Sequence, residues 1–275
     1  MFLAAGSVQF GSGLAATLFD DLGPGGTVLL RVLFAAVLLG LIWQPSVRGR
    51  ERGALWLAVA FGLSLAGMNA FFYASLDRIP LGIAVTFEFV GPLGVAIAGS
   101  RKPVDLVWVG LAAAGIVLLS AFENGSGLNG LGVAFALVAG AFWAAYIVLS
   151  ERTGQVFAGG SGLAIAMVVA AAVLLPVGVA DAGGSLLEPE LLALGAAVAL
   201  LSSAIPYSLE LEALRRMPKR VFGVLMSLEP AIAALAGFVV LSQDLGVREL
   251  VAIALVVTAS AGVSLETRQP VAVEP

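Results

Sequence analysis

Leu81-Gly82-Ile83-Ala84-Val85-Thr86-Phe87-Glu88-Phe89-Val90-Gly91-Pro92-Leu93-Gly94-Val95-Ala96-Ile97-Ala98-Gly99 is an apolar run holding one charge, Glu88, and one proline, Pro92. A bilayer core of roughly 30 Å is crossed by about 20 apolar residues wound as a helix, so the run reads as a membrane span. Nine further stretches have the same character: Phe2 to Phe19, Gly26 to Trp43, Ala54 to Leu76, Val104 to Ala121, Leu128 to Ser150, Gly160 to Ala180, Leu191 to Leu209, Val221 to Leu241 and Gly246 to Leu265. The connections are short and carry turn residues, as in Asp20-Asp21-Leu22-Gly23-Pro24-Gly25 and Glu123-Asn124-Gly125-Ser126-Gly127. None is long enough for a soluble domain. The fold class that follows is an all-α integral membrane protein of ten transmembrane helices.

Composition agrees and closes off other functions. Of 275 residues, 60% are hydrophobic and 12% charged, more apolar surface than a soluble core of this size could hide. With no cysteine, disulfides and thiolate chemistry are excluded; with no histidine, the commonest metal ligand and general base are absent. No paired nucleophile and base stands out, so an enzyme is not expected, nor a cofactor or metal. The formal charge of -4 is scattered, without the basic runs that track phosphates, so nucleic acid is not an expected partner. Gly11-Ser12-Gly13 follows no strand and lacks the lysine of a phosphate loop. Asn124-Gly125-Ser126 matches a glycosylation acceptor but reads more plainly as a turn.

Basic residues test the span count, because cytoplasmic loops collect Lys and Arg. Arg48, Arg50, Arg52, Arg101, Lys102, Arg152, Arg215, Arg216, Lys219, Arg220 and Arg268 all fall on one side of a ten-span arrangement. Only Arg78 and Arg248 fall in connections on the other. A miscounted span would scramble this alternation. Both termini are therefore expected in the cytoplasm.

The chain also repeats itself. Ala74-Ser75-Leu76-Asp77-Arg78-Ile79-Pro80 aligns with Glu212-Ala213-Leu214-Arg215-Arg216-Met217-Pro218, and the same shift places Pro92 on Pro230. Gly25-Gly26-Thr27 aligns with Gly159-Gly160-Ser161, and Gly6 with Gly140. The expected division is residues 1–125 and 126–275, five helices each. Because five is odd, the two repeats must be inverted relative to each other across the membrane plane. The alignment also puts the counterpart of Leu128 before Met1, so the first helix is expected to lack its opening turns and the native chain to start earlier.

Polar residues inside lipid need a reason, since a charge at a helix centre costs roughly 2.5–3.5 kcal/mol on insertion scales. Glu88 and Glu229 enter from opposite sides and approach the midplane, each beside a proline, Pro92 and Pro230. A proline frees the carbonyl four residues back, that of Glu88 in the fourth span and Met226 in the ninth, and such kinks can line a polar cavity. Arg31, a few residues from the outer end of the second span, is expected to snorkel to the headgroups. Helical spacing puts Asn69 with Tyr73, Trp143 with Tyr146, and Ser203 with Tyr207 on common faces, while Ser7 and Gln9 occupy the first span. For a single aromatic, interfacial anchoring competes with a binding role. Gly132, Ala136, Gly140 and Ala144 form a small-residue stripe that permits close helix packing.

These residues carry a resemblance. Met68-Asn69, Phe72-Tyr73, Pro80 to Val85, Glu88-Phe89, Gly91-Pro92-Leu93, Pro103-Val104-Asp105, Pro206 to Glu210, Arg220 with Phe222-Gly223, and Leu225 to Ala231 together resemble the EamA-type branch of the drug/metabolite transporter superfamily, and within it the bacterial threonine and homoserine exporters. The resemblance covers nearly the whole chain. It implies ten helices in two inverted five-helix repeats around a cavity lined by helices 1, 3, 4, 6, 8 and 9, in the bacterial inner membrane. It implies secondary efflux of amino acids or related small polar metabolites by alternating access, with the lipid bilayer as surroundings and protons as candidate coupling partner. The substrate set expected from it and from the spacings is Gln9, Asn69, Tyr73, Glu88, Trp143, Tyr146, Tyr207 and Glu229, with Glu88 the proton-coupling candidate. Export of drugs, nucleosides or aromatic amino acids, or a non-transporting or channel-like role, stays open, as does monomer against dimer.

Overall fold

The computed structural model describes residues 2–46, 49–98, 105–120, 128–206, 209 and 226–266. The described residues are built from helices: α1 (Phe2–Ala16), α2 (Phe19–Trp43), α3 (Arg52–Leu76), α4 (Leu81–Glu88), α5 (Val90–Ala98), α6 (Asp105–Ser120), α7 (Gly130–Val156), α8 (Ser161–Ala182), α9 (Pro189–Ala199), α10 (Glu229–Leu241) and α11 (Val247–Glu266). A 3₁₀ turn, Gly183–Leu187, joins α8 to α9, and α9 runs on into a π turn, Leu200–Ala204. Counting α4 with α5 and α9 with its π turn, ten rods correspond to the ten expected spans. Four helical stretches, Phe19–Trp43, Arg52–Leu76, Gly130–Val156 and Ser161–Leu187, are long and apolar enough to cross a bilayer.

Large apolar side chains point outward as well as inward. On α2, Leu29, Val32, Ala36 and Leu39 are buried while Leu33, Val37 and Leu41 are exposed one turn apart. Leu235, Phe238 and Val239 do the same on α10. In water such stripes would be a large adhesive patch; in lipid they face tails of their own polarity.

Helix ends follow local chemistry. The Asn129 side chain accepts from the Leu131 and Gly132 N–H groups at 3.0 and 3.1 Å, so α7 starts there and not at Leu128. Pro189 opens α9, where its missing N–H costs nothing. Asp20 to Gly25, expected as a connection, is instead the kinked start of α2. Gly23 takes φ 63° and ψ 168°, and Pro24 restarts the helix behind it. That conformation suits glycine. The carboxylate of Asp181, on α8, accepts from the Gly25 N–H at 2.9 Å and so caps the restarted helix from a neighbouring rod.

The interior is held by close backbone approaches. α2 packs on α8, α3 on α7 and α8, α1 on α10 and on the π turn, α4 on α10, and α6 on α11. A methyl on Gly82 would stand 2.6 Å from the Cα of Ala234, which fixes α4 against α10. The small-residue stripe of α7 behaves as expected. Gly132 abuts Arg78 and Ile79, Ala136 is buried, and Gly140 meets the α4–α5 break.

Candidate functional site

Both intramembrane acids sit at helix breaks. Glu88 is the last residue of α4, Phe89 interrupts the helix, and Val90 begins α5 with Pro92 in its first turn. Because Pro92 has no N–H, the Glu88 carbonyl loses its intrahelical donor. The α7 backbone presses on that carbonyl, since a methyl on Gly140 would stand 2.5 Å from the Glu88 oxygen. A methyl on Gly91 would overlap the Gly140 carbonyl. The Glu88 side chain is buried, at 6% exposure.

Glu229 is buried too, beside a second interruption. Ser227 and Leu228 form a turn, α10 begins at Glu229, and Pro230 occupies the first turn of a new segment. The Glu229 carboxyl lies at the N-terminal, positive end of α10, where the helix dipole favours an anion. Gly82 meets Ala234 and Leu81 meets Gly237, so α4 and α10 run antiparallel. Glu88 lies six residues from Gly82 and Glu229 five from Ala234, so the two acids reach about the same depth, roughly 7–9 Å from that crossing. The N-terminus of α4 is capped from the far end of α10: the Leu81 N–H donates to Gln243 Oε1 at 2.9 Å.

Arg31 contradicts its sequence reading. It does not snorkel; it is buried at 5% exposure among α2, α3 and the π turn. Its Nη2 donates to the Ser202 carbonyl at 2.9 Å, its Nε to Ser203 Oγ at 3.3 Å and its Nη1 to the Tyr73 hydroxyl at 3.3 Å. The guanidinium also lies 5.5 Å from the Tyr73 ring centroid. The reason is the helix start: α2 begins at Phe19, not Gly26, which moves Arg31 from an end to the helix interior.

The other expected residues divide. Tyr73 is fully buried, held by Arg31 and packed on Phe19 at 5.8 Å and Phe72 at 6.0 Å between ring centroids. Asn69, one turn earlier on the same face of α3, is buried and donates to its own helix at the Leu65 carbonyl, 2.8 Å. Trp143 packs edge-on against Phe89 at 5.4 Å, beside Glu88. Tyr146 sits apart from Tyr73, tilted against Phe61 at 5.2 Å between ring centroids; Phe61 and Tyr73 are three helical turns apart, roughly 18 Å. Gln9 is buried in α1, and its Oε1 has no hydrogen-bond partner among the described residues. Near it, the Ser7 hydroxyl donates to the Leu201 carbonyl at 2.5 Å, and Gly11 lets α1 approach the Ser202 backbone. Tyr207 lies outside the described residues, as do Arg215 to Arg220 and Asn124 to Ser126. The site thus joins Arg31, Tyr73, Ser202 and Ser203 into one charged and hydroxylated cluster, with Asn69 one turn from Tyr73, while Glu88 and Trp143 meet at the α4–α5 break. Arg31 and the π-turn serines were missed as a group, although an arginine in an apolar run was signal enough.

Residues 130–265 match the EamA-like transporter family. The chain is 42% identical over 271 residues to the threonine/homoserine exporter RhtA of Salmonella typhimurium (strain LT2) and of Escherichia coli (strain K12), spanning 98% of this chain and 91% of each relative. It is 28% identical over 147 residues, 46% of its length and 45% of the other's, to the uncharacterized transporter sll1319 of Synechocystis sp.. One protein crystal structure superposes with a TM-score of 0.59 at 20% identity, over 93% of this chain and 95% of that one, a likeness of fold.

Proposed function

The chain belongs to the EamA-like transporter family, and from that premise we propose that it exports threonine, homoserine or closely similar small amino acids across the bacterial inner membrane. The observation that carries the reading is the 42% identity, sustained over 98% of the chain, with proteins named for that activity. The mechanism is alternating access by two inverted five-helix halves, residues 1–125 and 126–275, with both termini in the cytoplasm. The helix pairings support it. Exchanging each rod for the one five places later maps α2 with α8 onto itself, α4 with α10 onto itself, and α6 with α11 onto itself. It turns the pairing of α3 with α7 into that of α1 with α9 and its π turn.

Asn69, Tyr73 and Trp143 hold the substrate around the α4–α5 break, with Gln9, Tyr146, Tyr207 and Glu229 completing the path. Glu88 receives the substrate ammonium or carries the coupling proton. A buried carboxyl at an interrupted helix suits either task. Uptake of labelled threonine and homoserine into proteoliposomes, against other amino acids and with or without a pH gradient, tests the assignment. Glu88→Gln, folded as judged by size-exclusion elution, is expected to abolish transport. Wild-type rates in that variant would remove Glu88 from the mechanism.

A further inference from the structure

We propose that Gln243 latches an outer gate: its side chain holds the start of α4 against the end of α10 while the outer mouth is shut, and lets go when substrate leaves. The proposal rests on the exporter reading above, with its alternating access and cytoplasmic termini, and gives that cycle a moving part. The end of α10 builds the latch. Ser242 stops the helix in a left-handed conformation, φ 51°, of the kind glycine usually supplies. The Gln243 N–H then returns to the Gly237 carbonyl at 3.1 Å, which turns the chain back toward α4. There the Leu81 N–H donates to Gln243 Oε1 at 2.9 Å. Pro80, the residue before α4, has no side-chain oxygen to cap that N–H, so the acceptor comes from the opposite half of the chain. Gly237 makes the room, since a methyl there would stand 2.6 Å from Gln243 Oε1.

The contacts around the latch join the same two halves. Arg78, in the α3–α4 connection, lies over the Phe135 ring of α7 at 5.2 Å from its centroid, and Gly132 of α7 leaves room for Arg78 and Ile79. Ile79 and Leu81 are buried there, although Asp77 and Arg78 beside them are exposed. One hydrogen bond and one cation–π contact at an exposed edge are each weak enough to break and re-form in every cycle. The α2–α8 pair is different. Asp181 meets Gly25 at one end, Leu29 meets Gly178 within, and Trp43 lies against Gly159 and Gly160 at the other, so this pair is close-packed from end to end and forms the frame. α4 meets α10 through Leu81 and Gly82, and α5, which continues the span, packs on α7 and α11. The break at Phe89 between them is the hinge on which α4 swings from α10 while α5 keeps its contacts.

Two measurements on the full chain test the gate and its latch. A Cβ on Gly237 would stand 3.4 Å from the Leu81 Cβ, close to the ~3.8 Å mean of a disulfide. In proteoliposomes, oxidised Leu81→Cys/Gly237→Cys is expected to lose threonine uptake at least about tenfold and regain it on reduction, because a gate held shut stops the cycle. Each single variant should ignore the oxidant. Full uptake by the cross-linked double variant overturns the gate. The latch is read on spheroplasts carrying Leu81→Cys, a fully buried position, with a membrane-impermeant maleimide. Adding Gln243→Leu is expected to raise the labelling rate about fivefold, the population shift that one lost hydrogen bond gives. Gln243→Glu, which keeps the acceptor oxygen, should stay near the parent, and Gly237→Ala, which crowds that oxygen, should act like Gln243→Leu. Leu22→Cys, equally buried at the outer end of α2, should stay unlabelled in every background. Equal labelling with and without the Gln243 oxygen, or a matching rise at Leu22→Cys that marks general loosening, overturns the latch. Absence of wild-type threonine uptake overturns the exporter reading alone; the labelling comparison needs no substrate and decides the gate in that case, as it does if the double cysteine variant fails to fold.

Discussion

Tyr73 shows how one hydroxyl can serve two ends at residue scale. Its ring is locked between Phe19 and Phe72, and its oxygen accepts from Arg31. Tyr73→Phe keeps the ring packing and deletes the acceptor. The loss expected is about 1 kcal/mol of stability, typical of one net hydrogen bond, read as a lower thermal midpoint in detergent. A several-fold rise in KM for threonine should accompany it. A variant unchanged in both would show that the hydroxyl neither orients Arg31 nor meets substrate. At this scale the sequence was half legible. Glu88 announces itself as an isolated acid in nineteen apolar positions, and Asn69 and Tyr73 share a face by their spacing of four. Arg31 was misread because its meaning depends on a boundary seven residues away. Gly23-Pro24 is a turn signal, yet here it kinks a helix that begins at Phe19, and a kink differs from a loop only by contacts such as the Asp181 cap.

Elements meet through glycine, and two glycines on α7 separate packing from propensity. A methyl on Gly140 would press on the Glu88 carbonyl, whereas one on Gly154 meets nothing within 4 Å. Gly140→Ala is therefore expected to destabilise by about 1–3 kcal/mol through overpacking and to slow transport by shifting the α4–α5 break. Gly154→Ala should be neutral or stabilise by up to about 1 kcal/mol, the intrinsic gain of alanine over glycine in a helix. Paired thermal melts decide this, and equal effects would mean the close approach is not rigid. The Asp181 cap gives a parallel case. Asp181→Ala leaves the Gly25 N–H without its acceptor and should cost about 0.5–2 kcal/mol, while Asp181→Asn, which keeps an oxygen, should cost less. Proline spacing pointed to both helix interruptions, at Phe89 before Pro92 and at Ser227–Leu228 before Pro230, but not to the backbone that meets the first, Gly140 of α7.

For the whole molecule, the proposed inversion of the two halves makes a demand that parallel repeats would not. Glu51, before α3, and Glu188, before α9, occupy equivalent places in the two halves; so do Thr17, between α1 and α2, and Glu151, near the end of α7. All four are exposed. With five helices per half, each equivalent pair must straddle the membrane, Glu51 and Glu151 inside, Thr17 and Glu188 outside. The chain has no cysteine, so single cysteines can be introduced at these positions without first removing any. A membrane-impermeant maleimide added to intact spheroplasts is expected to label Thr17→Cys and Glu188→Cys alone. After permeabilisation all four should react. Labelling of Glu51→Cys and Glu188→Cys from the same side would make the halves parallel, and the rocking exchange of inward and outward openings around Glu88 would lose its structural basis.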